Sequence, residues 1–297
     1  MDLSVFFQLL LPGLTTGCIY ALVALGFVLC ANVSGVVNFA QGEYVMLGGV
    51  LCAFLIERGL PLGVAMVIAV SACAAIGALQ ERLTLAPVRS SPQFIRITIT
   101  LGVAVVLRGI ALIAFGKDPH SLPGFSGDGV FSLFGAVLPV QSLWVWGATI
   151  LLLLATFWFL KFTNVGCAVR ACSINLQAAR LMGVDAERLT LLVFAIAGGT
   201  GALAGIVITP IVLANWDAGI AYGLKGFIGA ILGSFRSPLV AVLGGIFIGI
   251  GESFAAGYVS SGFKDAIVYG ALLAYLLVRG GIFLTGRATL TSGSHET

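Results

Sequence analysis

Charge is what this sequence has least of. Only 9% of its 297 residues are Asp, Glu, Lys or Arg, where a soluble domain carries roughly 25%. So little charge cannot cover a chain that is 59% hydrophobic. A water-soluble globule is excluded, and a disordered chain still more firmly. Histidine is nearly missing: His120 and His295 are the two present, too few for a His-built metal site or a Ser-His relay. No GxxxxGK[ST] run occurs, so the chain has no P-loop to cradle nucleotide phosphates. The six cysteines form no CxxC or Cys/His spacing. Cys18, Cys30, Cys52 and Cys73 lie in apolar runs, Cys167 and Cys172 near a polar loop, and all six read as small apolar fillers. The net charge is a mild +3 and no basic block marks a nucleic-acid partner. Met1-Asp2-Leu3 offers neither a basic n-region nor a small-residue cleavage site, so the first apolar run is expected to be a retained span.

What the sequence has in abundance is apolar length. Runs fall at 5–31, 39–57, 61–80, 95–115, 140–160, 189–213, 224–235, 238–256 and 265–284. They are too long for barrel strands and lack strict alternation, so they predict helices. The expected fold is all-α: a polytopic transmembrane bundle of about eight or nine helices, with residues 1–297 forming a single integral membrane domain. The run 224–235 is too short, at about 1.5 Å per residue, for a core of about 30 Å; a broken or half-length helix is expected there. The glycine content is high, as close helix packing requires. Gly13-x3-Gly17, Gly201-x3-Gly205, Gly229-x3-Gly233 and Gly245-x3-Gly249 are read mainly as internal packing faces.

The positive-inside rule orients the bundle. The connection 161–188 carries Lys161, Arg170, Arg180 and Arg188. Placing it in the cytoplasm puts Arg82, Arg89, Arg236 and Arg287 there too, leaving Arg58, Lys117 and Lys264 outside. The tail 285–297 then ends inside and the amino terminus outside.

Two places carry candidate chemistry. In the uncharged turn 32–38, Gly35 is suited to end one helix and Asn38 to cap the next, with Gln41 completing a capping box. Broken backbone at membrane depth is tolerated only against protein or a water-filled cavity, so this turn and the Gly-rich half-helix at Gly223–Gly233 are expected to line a translocation route. Asn38, Phe39, Gln41, Glu43 and Phe227 are its candidate residues, Phe39 and Phe227 as an apolar wall and Gln41 as a hydrogen-bonding edge. For Glu43, a structural cap and a lining role remain equally open. Among other charges in or beside spans, Arg96, Asp265 and Arg279 lie near ends and are expected to snorkel, while Glu252 is deeper and is expected to partner an arginine. The second place is the cytoplasmic stretch 173–184. Ile174, Ala178 and Leu181 share a helical face, Ser173 is a candidate cap and Gly183 a candidate stop. A short amphipathic helix there lies on the membrane surface or serves as a peg for a soluble partner. Gly199-Thr200-Gly201-Ala202-Leu203-Ala204 mimics a dinucleotide fingerprint but lies inside an apolar helix with no strand before it, and is rejected.

The stretch Gln177-Ala178-Ala179-x3-Gly183 resembles the EAA-x3-G coupling motif of bacterial ABC importer permeases, with Gln in place of Glu. From Gly13 to Gly286 the chain resembles the permeases of branched-chain amino acid ABC importers. The likeness is carried by Gly17-Cys18-Ile19-Tyr20-Ala21-Leu22-Val23-Ala24-Leu25-Gly26, by Gly35-Val36-Val37-Asn38-Phe39-Ala40-Gln41-Gly42-Glu43, by Arg170-Ala171-Cys172 with Ala178-Ala179-Arg180-Leu181-Met182-Gly183, and by Ala230-Ile231-Leu232-Gly233. Two departures stand out: Gln41 replaces a usual His, and Arg279-Gly280-Gly281-Ile282-Phe283-Leu284-Thr285-Gly286 lacks the family's Pro. The resemblance implies a multi-pass permease subunit in a bacterial cytoplasmic (inner) membrane. Its implied partners are a second homologous permease, two ATP-binding subunits and a soluble periplasmic or extracytoplasmic substrate-binding protein. ATP is then used by the partners and no cofactor is bound by this chain, which is not itself an enzyme. Gln177, Ala178, Ala179, Arg180 and Gly183 become the coupling contacts. Similar permeases carry urea, short amides or other small organic solutes, so the solute stays open. A stand-alone channel or secondary carrier is the competing class; the coupling-like loop and the lack of paired acids argue against it.

Overall fold

The structure is a computed structural model that describes residues 3–235 and 237–292, from 279 onward as backbone alone. Arg236, the side chains of Arg279 and Arg287, and positions 293–297 of the expected inner tail lie outside the described residues. Every apolar run has become a helix: α1 (Leu3–Ser34), α2 (Gln41–Glu57), α3 (Leu62–Gln80), α4 (Gln93–Phe115), α5 (Gln141–Phe162), α8 (Ala186–Ile208), α9 (Ala218–Leu232), α10 (Pro238–Tyr258) and α11 (Lys264–Ser292). Between α5 and α8 stand two shorter helices, α6 (Asn164–Ile174) and α7 (Leu176–Leu181). Among the described residues six helices are long and apolar enough to cross a membrane: α1, α3 with its continuation to Val88, α4, α5, α8 and α10. The expected half-length element is α9, whose 15 residues reach about 22 Å.

The contact clusters divide the chain into two compact units, Met1–Ile250 and Gly251–Thr297. In the first, α1 and α8 are the innermost helices, their apolar windows 83% and 67% buried. Glycine lets α8 touch its neighbours at backbone distance. A Cβ on Gly205 would lie 1.9 Å from the Val45 carbonyl oxygen, and one on Gly77 would lie 2.3 Å from that of Phe194. The small-residue spacings read as internal packing are used that way: Gly249 meets Gly17, and Gly245 meets Ala21. In the second unit the Lys264 ammonium lies 3.1 Å from Glu252. That lysine enters from the start of α11; the arginine expected beside Glu252 is not tested, the Arg279 side chain lying outside the described residues.

Two local features were not expected. α3 does not stop at a loop but continues as a π-helical turn, Glu81–Leu85, and a 3-10 turn, Ala86–Val88; such turns shift the register of the backbone beyond them. The connection before α5 carries a small antiparallel hairpin, β1 (Val130–Leu133) and β2 (Ala136–Pro139). Its tip residues Phe134 and Gly135 both have positive φ, the turn form that fits hairpin twist. Phe134 stacks on Phe7 at 4.8 Å between centroids, and Leu138 and Ala136 pack on Leu11 of α1.

Candidate functional site

The turn between α1 and α2 is partly buried, Asn38 fully and Gly35 exposed, and a set of hydrogen bonds holds it. Gly35 ends α1 with φ +68°, its N–H donating to the Ala31 carbonyl at 2.9 Å. Asn38, at 0% exposure, does not cap α2 as expected. Its Oδ1 accepts from the Ala40 N–H at 3.2 Å and from Gln80 Nε2 at 2.7 Å, while Tyr44 Oη donates to Gln80 Oε1. Asn38 Nδ2 faces Tyr44 Oη at 3.5 Å and closes the ring. Nor does Gln41 close a capping box: it begins α2, and its Nε2 crosses to the Ala197 carbonyl of α8 at 3.0 Å. The cause is space, because the Gln41 carboxamide lies over Gly26, where a Cβ would come within 2.2 Å.

Glu43, in the first turn of α2, also bonds across the bundle. It is 2% exposed, its Oε1 accepts from Arg108 of α4 at 2.5 Å, and its other oxygen presses on Gly219 at the start of α9. Glu43 therefore ties α2 to α4 and α9. Its Oε2 and the Oε1 of Gln41 are buried with no hydrogen-bond partner. Phe39 and Phe227 do meet, at 5.1 Å between ring centroids. Phe27 joins both at 6.2 and 5.7 Å, and Phe235 joins Phe227 at 5.7 Å. The four rings pack together, with Phe39 and Phe227 half-buried. A cavity of about 620 Å³ lies elsewhere, walled by α1, α5, α6 and α10 around Leu29, Phe157, Val169 and Val242.

Sequence reasoning missed Tyr44, Gln80 and Thr100 of this cluster. Thr100 accepts from the Phe39 N–H at 3.2 Å. The available signal was polarity within apolar runs; Tyr44 and Gln80 lie 36 residues apart, and Phe39 and Thr100 lie 61 apart, which no local pattern reports. Arg108 stands out in the sequence as a charge within a span, but nothing near it names its partner. Arg96, expected to snorkel, instead folds onto the turn and donates to the Ser34 carbonyl at 3.2 Å.

The second candidate place is a helix–break–helix. The expected single stretch 173–184 is interrupted at Asn175, which takes extended backbone, φ −152° and ψ 103°, and caps α7 by accepting from the Ala178 N–H at 3.0 Å. Ser173 therefore does not cap; its Oγ donates back to the Arg170 carbonyl at 2.7 Å. Gly183 does stop the helix, at φ +88°. Its N–H donates to the Arg180 carbonyl at 3.0 Å and that of Val184 to the Ala179 carbonyl at 3.1 Å, a Schellman pair. Leu176 and Ala179 pack inward against the core. Gln177, Ala178 and Arg180 are exposed, Arg180 also lining a cavity, and Ile174, Leu181 and Met182 stand 87%, 89% and 85% exposed.

A line of polar contacts joins the two places. Glu187, in the first turn of α8, pairs with Arg89 at 2.8 Å, and Arg89 also pairs with the buried Glu81. Glu81 follows Gln80, which holds the Asn38–Tyr44 ring.

Six long apolar helices, among the described residues, are the anatomy of a multi-pass membrane protein. The chain belongs to the branched-chain amino acid transport system permease component family, whose model matches residues 9–280. It is 31% identical over 287 residues to the high-affinity branched-chain amino acid transport system permease protein LivH of Escherichia coli K12, covering 92% of this chain and 93% of that one. It is 28% identical to the corresponding BraD protein of Pseudomonas aeruginosa over 92% and 94% of the two chains. The ribose import permease protein RbsC of Escherichia coli K12 matches at 25% identity over 72% of this chain and 65% of its own length. Among solved structures, PsaBC from Streptococcus pneumoniae in complex with Fab aligns over 91% of this chain and 89% of that one, with a TM-score of 0.50 at 16% identity, a likeness of fold alone.

Proposed function

We propose that the chain is the permease subunit of an ATP-driven ABC importer for branched-chain amino acids in a bacterial cytoplasmic membrane. A second permease pairs with it, two ATP-binding subunits hydrolyse ATP, and a soluble substrate-binding protein delivers the solute. One observation carries the ATP-driven reading: the α7 peg. Six helical residues are held by a cap at one end and a Schellman pair at the other, and Leu181, with Ile174 and Met182 flanking the helix, stands uncovered. Such a surface on a basic loop fits the groove of a soluble subunit. Gln177, Ala178, Arg180 and Gly183 make or shape that contact, and Ala179 anchors the helix from within.

In this mechanism ATP-driven closure of the partners moves α7. The motion passes through the start of α8 to the Arg89–Glu81 pair and on to the turn at Asn38. The Phe39–Phe227 contact then parts to admit a branched apolar side chain, with Gln41 and Glu43 at its polar edge. The turn releases its cargo because it offers few fixed polar contacts. The experiment is uptake of labelled leucine into proteoliposomes with the substrate-binding protein outside. Uptake is expected only when ATP and the ATP-binding subunits are present. Uptake by the purified chain alone would refute the ABC reading and favour a carrier.

A further inference from the structure

A second, smaller cavity lies between the turn after α1, the π-helical turn after α3, and the α7–α8 junction. It measures about 280 Å³, room for a small organic solute rather than a bare ion. Its wall holds two cations that no acid neutralises. Arg89 is spent on Glu81 and Glu187. Among the described residues, Arg96 and Arg180 make no ion pair. Arg96 gives one N–H to the Ser34 carbonyl, and its Nε is buried without a partner. Glu81 uses Oε1 for Arg89, which leaves Oε2 to accept from a donor. The rest of the wall is aliphatic: Val33, Val36, Leu85 and Leu176.

These features fit one chemical class. Two guanidiniums suit a carboxylate. A carboxylate on the same wall, with one oxygen not engaged by Arg89, suits an ammonium. The aliphatic wall suits a short branched hydrocarbon. We propose that this cavity is a binding site for a zwitterionic α-amino acid with a branched apolar side chain, entered from the side of the membrane that carries α7. Resting on the importer reading above, the site is a feedback site for delivered cargo. Arg180 and Leu176 belong to α7, and Thr190, also on its wall, belongs to α8, so an occupant links the peg to the bundle. A ligand that favours that arrangement opposes any motion of α7 by its differential affinity for the two states.

Two measurements test this. Equilibrium dialysis of labelled L-leucine against the chain in nanodiscs is expected to show saturable binding. Arg96→Gln, which removes the cation, and Thr190→Phe, which fills the cavity, are each expected to abolish it. Leucinamide, without the carboxylate, and isocaproate, without the ammonium, are expected to compete at least tenfold less well. The second measurement is uptake by the full complex with ATP and leucine both inside the vesicles. Internal leucine is expected to slow initial uptake several-fold in the wild type and not in Arg96→Gln, each rate taken relative to the same protein in leucine-free vesicles. Absence of saturable binding, equal binding by Arg96→Gln, or equal competition by inorganic phosphate overturns the proposal. Leucine binding that depends on Arg96, together with absence of ATP-driven uptake, would instead sink the importer reading and leave the site standing.

Discussion

Gly183 offers the cleanest perturbation of the peg. Its φ of +88° is a left-handed conformation, and a Cβ added there meets nothing within 4 Å. Gly183→Ala therefore acts through the backbone alone. Holding an L-residue in that region costs about 1–2 kcal/mol. The alternative is to let the chain relax, which gives up the Gly183–Arg180 and Val184–Ala179 bonds, each contributing about 0.5–1.5 kcal/mol. Either route removes about 1–2 kcal/mol from a six-residue helix far too short to stand on propensity. At 1.4 kcal/mol per factor of ten, the docked form loses roughly five- to thirtyfold in population. The assay is leucine taken up per ATP hydrolysed in the reconstituted complex. Gly183→Ala is expected to lower that ratio strongly, and Gly183→Asn less, because Asn visits the left-handed region more readily. Ala178→Asp separates folding from docking. Position 178 is in the first turn of α7, where a negative charge favours the helix, so this variant is expected to keep the helix and lose the contact. A wild-type uptake-to-ATP ratio in both Gly183→Ala and Ala178→Asp, or an Asn variant worse than the Ala variant, refutes the argument.

Contacts elsewhere carry three further expectations. Arg108→Gln leaves the Glu43 carboxylate buried without its partner and is expected to cost about 3–5 kcal/mol; the double variant with Glu43→Gln is expected to regain most of it, read as melting temperature in detergent. His120, in the connection before α5, lies 2.9 Å from Glu57. Burial lowers its pKa, but hydrogen bonds to Glu57 and the Phe115 carbonyl, with the nearby acids, raise it further, for a net rise. The pairing is thus present in full below the ordinary value of about 6.5 and is lost as pH climbs through the raised one; tryptic cleavage at Lys117 is expected to quicken over that rise, and Glu57→Gln to flatten the profile. Cysteines placed at 38–43 in a background lacking the native ones are expected to resist a membrane-impermeant thiol reagent at rest and to react in the ATP-bound complex. Protection in every state would put the route elsewhere.

The helices were legible because membrane spans must satisfy their own backbone, so each reads as one apolar run. Gly35 and Gly183 were legible as helix ends because few other residues accept a positive φ. The break at Asn175 was not, since Ser173 and Asn175 are both good caps and only packing of Leu176 and Ala179 on the core decides between them. The hairpin at 130–139 escaped because four-residue strands carry too few positions to show alternation, and its anchor is Phe7, far away in sequence. At the candidate pathway, residue types gave the members and tertiary packing gave the pairings. Lipid forbids a lone Gln or Glu at depth, so Gln41 and Glu43 had to face protein or water. That Glu43 would find Arg108 and Asn38 would find Gln80 depended on how α2, α3 and α4 dock.

The closed turn also carries a cost that bears on its motion. Gln41 Oε1 and Glu43 Oε2 are both buried and unpartnered, and each unsatisfied acceptor costs about 1–3 kcal/mol. Around them the helices touch at backbone distance, Gly42 against Gly219 and Gly223, and Gly205 against Val45. Such contacts slide or part as units and do not stretch. Opening the turn therefore breaks packing and at the same time hydrates two orphan acceptors, which offsets part of the loss. Gln41→Met keeps the length and removes one of those acceptors. It gives up the bond to the Ala197 carbonyl, about 0.5–1.5 kcal/mol, and relieves the larger penalty. The variant is expected to melt higher than the wild type and to import more slowly, because the closed form gains and the hydrated one does not. A variant that melts lower while importing at the wild-type rate would show that the unpartnered oxygens play no part in the opening.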